Sequence, residues 1–230
     1  MMRRAEDAVE MLDRVVPAPD RAASLADVER LNAWFGGYAL TLRALARLAR
    51  RVPTTRALVV ADVGGAAGAL ARRVAAWARR QGRPARVVVI DRDLATLTSA
   101  RAGAPAGVVF VCADATALPL RAASVDVAVT ALTLHHLDPE AAVACLAGMR
   151  SAARAGVIVN DLLRARLSLA LVWLATRLVA RHRFSRHDGP LSVRRAYSPA
   201  ELAALGARAG LRALRVRAYP LLGRVLAVGE

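Results

Sequence analysis

The sequence predicts an α/β fold, doubly wound on both faces of a mostly parallel sheet. Three observations carry this reading. Five short apolar runs alternate with helix-like stretches between residues 56 and 161. The runs are rich in Val and Ile nearly throughout, as strands buried on both faces are. The first run ends in a glycine-rich turn that leads straight into a helical pattern, a strand–loop–helix unit.

Taken in order, residues 5–16 and 24–50 read as helices, joined at "PAPD" and broken again at Gly36-Gly37. "RALVVADV" is the first strand, followed by a helix over 66–80. "ARVVVIDRD" is the second strand, with a helix beginning near Asp93; "GVVFVCAD" is the third and "SVDVAVTAL" the fourth. Asp138-Pro139 then opens a helix with an N-cap acid and an N1 proline. "AGVIVND" is the fifth strand. A helical segment over 162–181 and a polar loop, "RHRFSRHDGPLS", come next. "SPAE" at 198–201 has the spacing of a capping box. Two strands near 211–218 and 223–229 complete the series, and one domain is expected over 1–230. Its parts are a helical cap (1–52), a core (56–161), a helical lid (162–197) and a closing helix with strands (198–230).

The composition excludes several classes. At 56% hydrophobic, the chain has enough apolar material to bury a core and is not disordered. Its net charge is +16, carried by 34 basic residues that are all arginine. They are scattered, though dense over 164–195, and few aromatics lie among them, so no nucleic-acid partner is expected. Cys112 and Cys145 lie in apolar runs without metal-like spacing, which suggests reduced core residues in a cytoplasmic setting. The apolar stretch "LSLALVWLAT" is too short to span a bilayer and has Arg on both sides.

Chemistry concentrates at the ends of the first strands. In "ADVGGAAGAL", Asp62 precedes Gly64, Gly65 and Gly68, a turn that lets backbone approach a ligand closely. Asp91 ends the second strand, where an acid can accept from both hydroxyls of a ribose. A nicotinamide-dependent oxidoreductase would share these features, but its G-x-G-x-x-G pattern is absent. Asp114, in "CADATALPL" after the third strand, is placed to accept from an adenine amino group.

The series resembles the class I S-adenosylmethionine-dependent methyltransferases, over about 56–161 and more loosely to the end of the chain. The matching residues are Asp62, Gly64, Gly65, Gly68, Asp91, Asp114 and Ala115, with "ALPL" and "SVDVAVTALTLHHL" following in order. The resemblance implies a Rossmann-like seven-stranded sheet with its last strand antiparallel. It implies S-adenosyl-L-methionine over the carboxyl ends of the first strands, with Arg92 beside Asp91 at the same site. "RLNAWFGGYALTLRAL" and the tail also resemble small bacterial methyltransferases acting on quinones or polyketide-derived phenols. The chain departs from the commonest loop at Ala66, where the family has Gly; a methyl group turned away from the cofactor leaves the site intact. A methyltransferase-fold protein without catalysis is the non-enzyme alternative.

The acceptor implied is a small apolar molecule. Methyl transfer needs alignment and a dry pocket, and it needs no metal. A phenol with a pKa near that of Tyr costs about 4 kcal/mol to ionise at pH 7, so a base is useful. His135, His136, His182 and His187 are the candidates, with Asp161 at the end of the fifth strand. Trp34, Phe35, Tyr38 and Trp173 are candidate walls of the acceptor pocket. Segment 162–187 is a candidate lid, or a surface that touches membrane transiently to collect the acceptor.

Overall fold

The computed structural model describes residues 2–211 and 213–229; Met1, Arg212 and Glu230, which fall in the expected segments, lie outside the described residues. Helices α1 (Ala18–Trp34) and α2 (Gly37–Ala49) come first. The alternating part then runs β1 (Leu58–Val63), α3 (Ala69–Arg80), β2 (Ala85–Asp91), α4 (Leu94–Arg101), β3 (Val108–Cys112) and β4 (Val125–Ala131). It continues with α5 (Pro139–Ala152), β5 (Ala153–Leu162), α6 (Arg166–Val179) and α7 (Arg183–Arg195). Helix α8 (Pro199–Arg208) and strands β6 (Arg215–Tyr219) and β7 (Arg224–Gly229) follow.

The seven strands lie in the order β3-β2-β1-β4-β5-β7-β6. β1 to β5 are parallel, and β7 is antiparallel to both of its neighbours, β5 and β6. The winding reverses between β1 and β4, and in such sheets that reversal opens a crevice at the carboxyl ends of the strands.

Strand residues alternate between two cores. Leu58, Val60, Val87, Val89, Val127 and Val129 pack with Leu45 and Leu48 of α2 and Val74 of α3. Ala61, Val63, Ile90 and Ala128 pack with Leu146 and Met149 of α5 and Leu202 and Leu205 of α8. Full burial of each large side chain is worth about 1.5–3 kcal/mol, so this double covering fixes the register of the sheet. At the amino-terminal end of β4, buried Asp126 accepts from Arg56 (2.8 and 2.6 Å), Arg154 (3.1 Å) and the Val59 amide (2.9 Å). That network ties β4 to β1 at the end opposite the crevice.

The expected caps form. The side chain of Asp93 accepts from Thr96 N, that of Asp138 from Ala141 N, and Ser198 with Glu201 completes a capping box. Four expectations are corrected. Residues 5–16 are not a helix; they run irregularly with one 3-10 turn, Met11–Asp13. α1 begins at Ala18, behind Pro17, and not at residue 24. The polar stretch 181–192 is not a loop but most of α7, with Pro190 inside it. Cys112 is exposed because it ends the edge strand β3, whereas Cys145 is buried.

Candidate active site

At the carboxyl end of β1 the chain turns through Gly64 (φ 71°), Ala66 (φ 44°) and Gly68 (φ 74°), all left-handed. Space at both glycines is tight as well. A Cβ on Gly64 would sit 2.4 Å from the Thr133 side chain, and one on Gly68 would sit 3.1 Å from the Phe110 ring. Gly65 is held between Asp62 and Val89, each 2.8 Å from where its Cβ would lie. Asp91 ties the turn to β2, accepting from the amides of Ala66 (2.8 Å) and Asp93 (3.0 Å). Ala66 is therefore a strained residue in a loop otherwise built for glycine.

This loop borders a cavity of about 1280 Å³ over the ends of β1, β2, β4 and β5. Single small-molecule sites occupy about 300–1,000 Å³, so this one has room for two ligands side by side. Asp62, Gly64, Gly65, Asp91, Arg92, Asp114 and Ala115 border it; Gly68 shapes the turn from behind. Asp62 is buried, and its Oδ2 has no hydrogen-bond partner. Burial, and then the charge of Asp91, push its carboxyl up to about 7. Asp114 is exposed and is held below the usual carboxylate range by hydrogen bonds from the Thr116 amide and hydroxyl.

The other half of the cavity is built by β4, β5 and the helices that cover them. His135 is buried in the turn after β4, with its Nδ1 2.6 Å from Asp161 Oδ1. Asp161 also accepts from the amides of His135 (3.1 Å) and Leu162 (2.7 Å). Burial alone would raise the Asp161 carboxyl, but the charge of His135 and its hydrogen bond, with the Leu162 amide, hold it low. A charged acceptor at Nδ1 sets the tautomer, leaving Nε2 as the basic nitrogen of neutral His135. Nε2 lies 3.7 Å from Glu10 Oε1, which has no hydrogen-bond partner. Burial pushes Glu10 up to about 7, against the charge of His136 and a hydrogen bond from Ser192. His136 is half-buried and bonded through Nδ1 to Asp13 at 3.0 Å.

Several of these groups were invisible to sequence reasoning. Glu10 comes from the irregular amino-terminal segment, which α7 straps down: Asp188 accepts from the amides of Met11 (2.9 Å) and Leu12 (3.1 Å). Arg224, at the start of β7, is fully buried and donates to Asn32 at 2.9 Å, while its second terminal nitrogen, Nη1, has no partner. Burial lowers it to about 10. Asn32 and Tyr38 lie against the same cavity. No sequence spacing links these residues; only the strand order brings β7 beside β5.

The structure separates the remaining candidates. Phe35 and Tyr38 line the cavity. Trp34 (71% exposed) and Trp173 (47%) do not, because each sits on the outer side of its helix. His182 caps α7 and bonds to Asp20 at 3.2 Å, and exposed His187 pairs with Asp188 at 2.8 Å; neither faces the cavity. Glu10, His135 and His136 do bring ligand atoms within 4.8 Å of one another, although the sequence shows no metal-like spacing. The Arg195 guanidinium, 3.7 Å from Glu10 Oε1, already supplies positive charge there.

Comparison with known proteins agrees with this architecture. Residues 60–156 match the family model described as a methyltransferase domain. No curated protein matches the chain in sequence. Among solved structures, the plantazolicin methyltransferase BpumL in complex with SAH is similar over 93% of this chain and 91% of its own, with TM-score 0.68 and 11% identity. A SAM-dependent methyltransferase from Aquifex aeolicus gives TM-score 0.54 at 18% identity, over 80% and 87%. Human N-acetylserotonin methyltransferase in complex with SAM gives 0.59 at 16%, over 94% of this chain and 60% of that one. At these identities the likeness is one of fold: an α/β sheet with a reversed last strand and its crevice at the glycine turn. Residues 60–156 thus match a methyltransferase domain, and the likeness of fold extends over most of the chain.

Proposed function

We propose that the chain transfers a methyl group to the hydroxyl of a small apolar acceptor of phenolic or hydroquinone type. The observation that carries this is the His135–Asp161 pair at 2.6 Å, buried on the acceptor half of the cavity, with no hydrogen bond to Nε2 among the described residues. A phenol must lose its proton, at a cost of about 4 kcal/mol at pH 7.

The residues on the β1–β2 side fit the cofactor. Asp62, whose buried Oδ2 has no partner, suits the ammonium of its amino-acid end, and Asp91 suits the ribose diol. Arg92, Asp114 and Ala115 border the place for the base, and Gly64 and Gly65 let the backbone approach. Bound there, S-adenosylmethionine supplies an electrophilic methyl group to a nucleophile placed in line. His135 Nε2 takes the phenolic proton as the oxygen attacks. Asp161 holds the imidazole in the required tautomer and stabilises the imidazolium that results. Arg224, with an unpartnered nitrogen beside Asn32 and Tyr38, favours an ionised oxygen on the acceptor. Phe35 and the inner residues of α6, Leu171 and Val172, supply apolar wall.

The test is His135→Ala and Asp161→Asn on two phenols of differing acidity, with rates under saturating cofactor. Loss of His135 should lower kcat on the weaker acid by about 10²–10⁴, and much less on the stronger acid. His182→Ala and His187→Ala should leave both rates unchanged. Equal losses on both phenols, or none, would remove His135 as the base. No turnover of any phenol by a protein that binds the cofactor would leave a binding module as the better reading.

A further inference from the structure

The outer face of α6 is apolar and is left uncovered by the described residues. Leu167, Leu174 and Leu178 are spaced i, i+7 and i+11, which puts them along one line of the helix. All three are exposed, Leu178 to 76%, and so is Trp173 beside them. Leu221, 80% exposed, lies in the turn Pro220–Leu222 that packs against the same helix. A band of this kind on a water-facing helix marks a contact surface.

Charge identifies the partner. Residues 162–187 hold six arginines and no Asp or Glu. Arg166, Arg177, Arg181, Arg183 and Arg186 are exposed, and among the described residues none of their guanidinium groups pairs with an acid, although the Arg181 amide donates to Asp27. Arg177 stacks on Trp173, 4.0 Å from the ring centroid, so the pair presents an aromatic face and a cation together. A second copy docking symmetrically would bring these five cations against their own equivalents. A nucleic acid would leave the leucine line without an apolar partner. An anionic bilayer surface answers both features, since it offers acyl chains below a layer of negative headgroups. The inner face of the same helix, through Leu171, Val172, Ala175 and Thr176, borders the cavity.

We infer that α6 docks on anionic lipid bilayers with Leu167, Trp173, Leu174 and Leu178 in the interface and the arginines among the headgroups. One helix then faces lipid on one side and the acceptor cavity on the other, so an acceptor dissolved in the bilayer has a short path inward. The docking needs no catalysis, and its test is independent of the acceptor proposed above.

The full chain is sedimented with vesicles of phosphatidylglycerol and phosphatidylcholine, and with phosphatidylcholine alone. Binding is expected to the mixed vesicles only, and to weaken as salt is raised. Each arginine near such a surface contributes about fivefold in affinity, so Arg177→Gln with Arg181→Gln should weaken binding by about twenty- to thirtyfold. Leu174→Gln with Leu178→Gln should weaken it at least as much. Cofactor binding by calorimetry, unchanged in both double variants, shows that they are folded. Failure of the wild-type chain to sediment with the anionic vesicles overturns the inference, as does binding that the leucine variant retains in full. A dimer in sedimentation velocity that Leu174→Gln with Leu178→Gln dissociates would assign the face to a second copy instead. Tighter binding to oligonucleotide than to vesicles would assign it to nucleic acid.

Discussion

Asp62→Asn separates the cost of a buried carboxylate from its use. In the folded chain the Asp62 carboxyl holds its proton up to about pH 7, against an ordinary value of 3.8. Between those values the unfolded chain has released the proton and the folded chain has kept it. Stability must therefore fall as pH rises through that window, and the loss is complete above about 7. Roughly three pK units at about 1.4 kcal/mol each set a ceiling of about 4 kcal/mol. Asparagine removes the charge and keeps a carbonyl for the Ala71 amide that the carboxylate accepts from. In thermal denaturation the variant should match the natural protein near pH 4 and melt higher near pH 8. At about 2–4 °C per kcal/mol for a chain of this size, the gain is several degrees and at most about 15 °C. Cofactor affinity near pH 8 should move the other way, falling tenfold or more. Equal melting shifts at both pH values would refute the ionisation argument. A gain in Tm with unchanged affinity would take Asp62 out of the cofactor site.

Two further substitutions test the scaffold. Ala66→Gly relieves a left-handed alanine, worth about 1–2 kcal/mol, against about 0.5–1 kcal/mol for the freer unfolded chain. Urea denaturation should show a small net gain, with cofactor affinity changed by less than about threefold; a loss of stability would mean that the φ of 44° is not strained. Asp126→Ala leaves the Val59 amide without its acceptor and two half-exposed arginines without their partner, and should cost about 1–3 kcal/mol. Its turnover per folded molecule should be unchanged, because Asp126 lies at the opposite end of β4 from the cavity.

The half of the cavity at β1 and β2 was legible in the sequence because each piece is local. A run of Val and Ile makes the strand, and the acid or glycine that follows it falls at the crevice by construction. The half beside β4 and β5 was not legible because its pieces are far apart in the chain. Helix α7 shows why. Most of its buried face is polar: Ser185, Asp188, Ser192 and Arg195 are spaced i, i+3, i+7 and i+10, with Phe184 and Val193 the two buried apolar residues. The helical period is present but is written in polar residues, which face inward to hold Ser24, Glu10 and the amino-terminal amides. A reading based on apolar periodicity sees only a polar stretch with a proline. His135 and Asp161 could be named singly from the ends of their strands. Their pairing depends on β4 and β5 lying side by side, and the sequence does not state strand order.

The position of β7 has a consequence for how the molecule comes into being. It is the seventh strand to be synthesised, yet it is inserted between β5 and β6. Among the described residues β6 pairs with no other strand, so neither can join the sheet until β7 has emerged from the ribosome. Arg224 arrives on the same strand. A nascent chain that has reached β5 can already assemble the glycine turn and the acids of β1 and β2. It still presents β5 as a bare apolar edge, the kind of surface that invites mispairing. We expect chains stalled before residue 224 to bind S-adenosylhomocysteine weakly and to be captured by chaperones, and release of β7 to end both. Cofactor binding that appears only with β7 would show that the two halves form together.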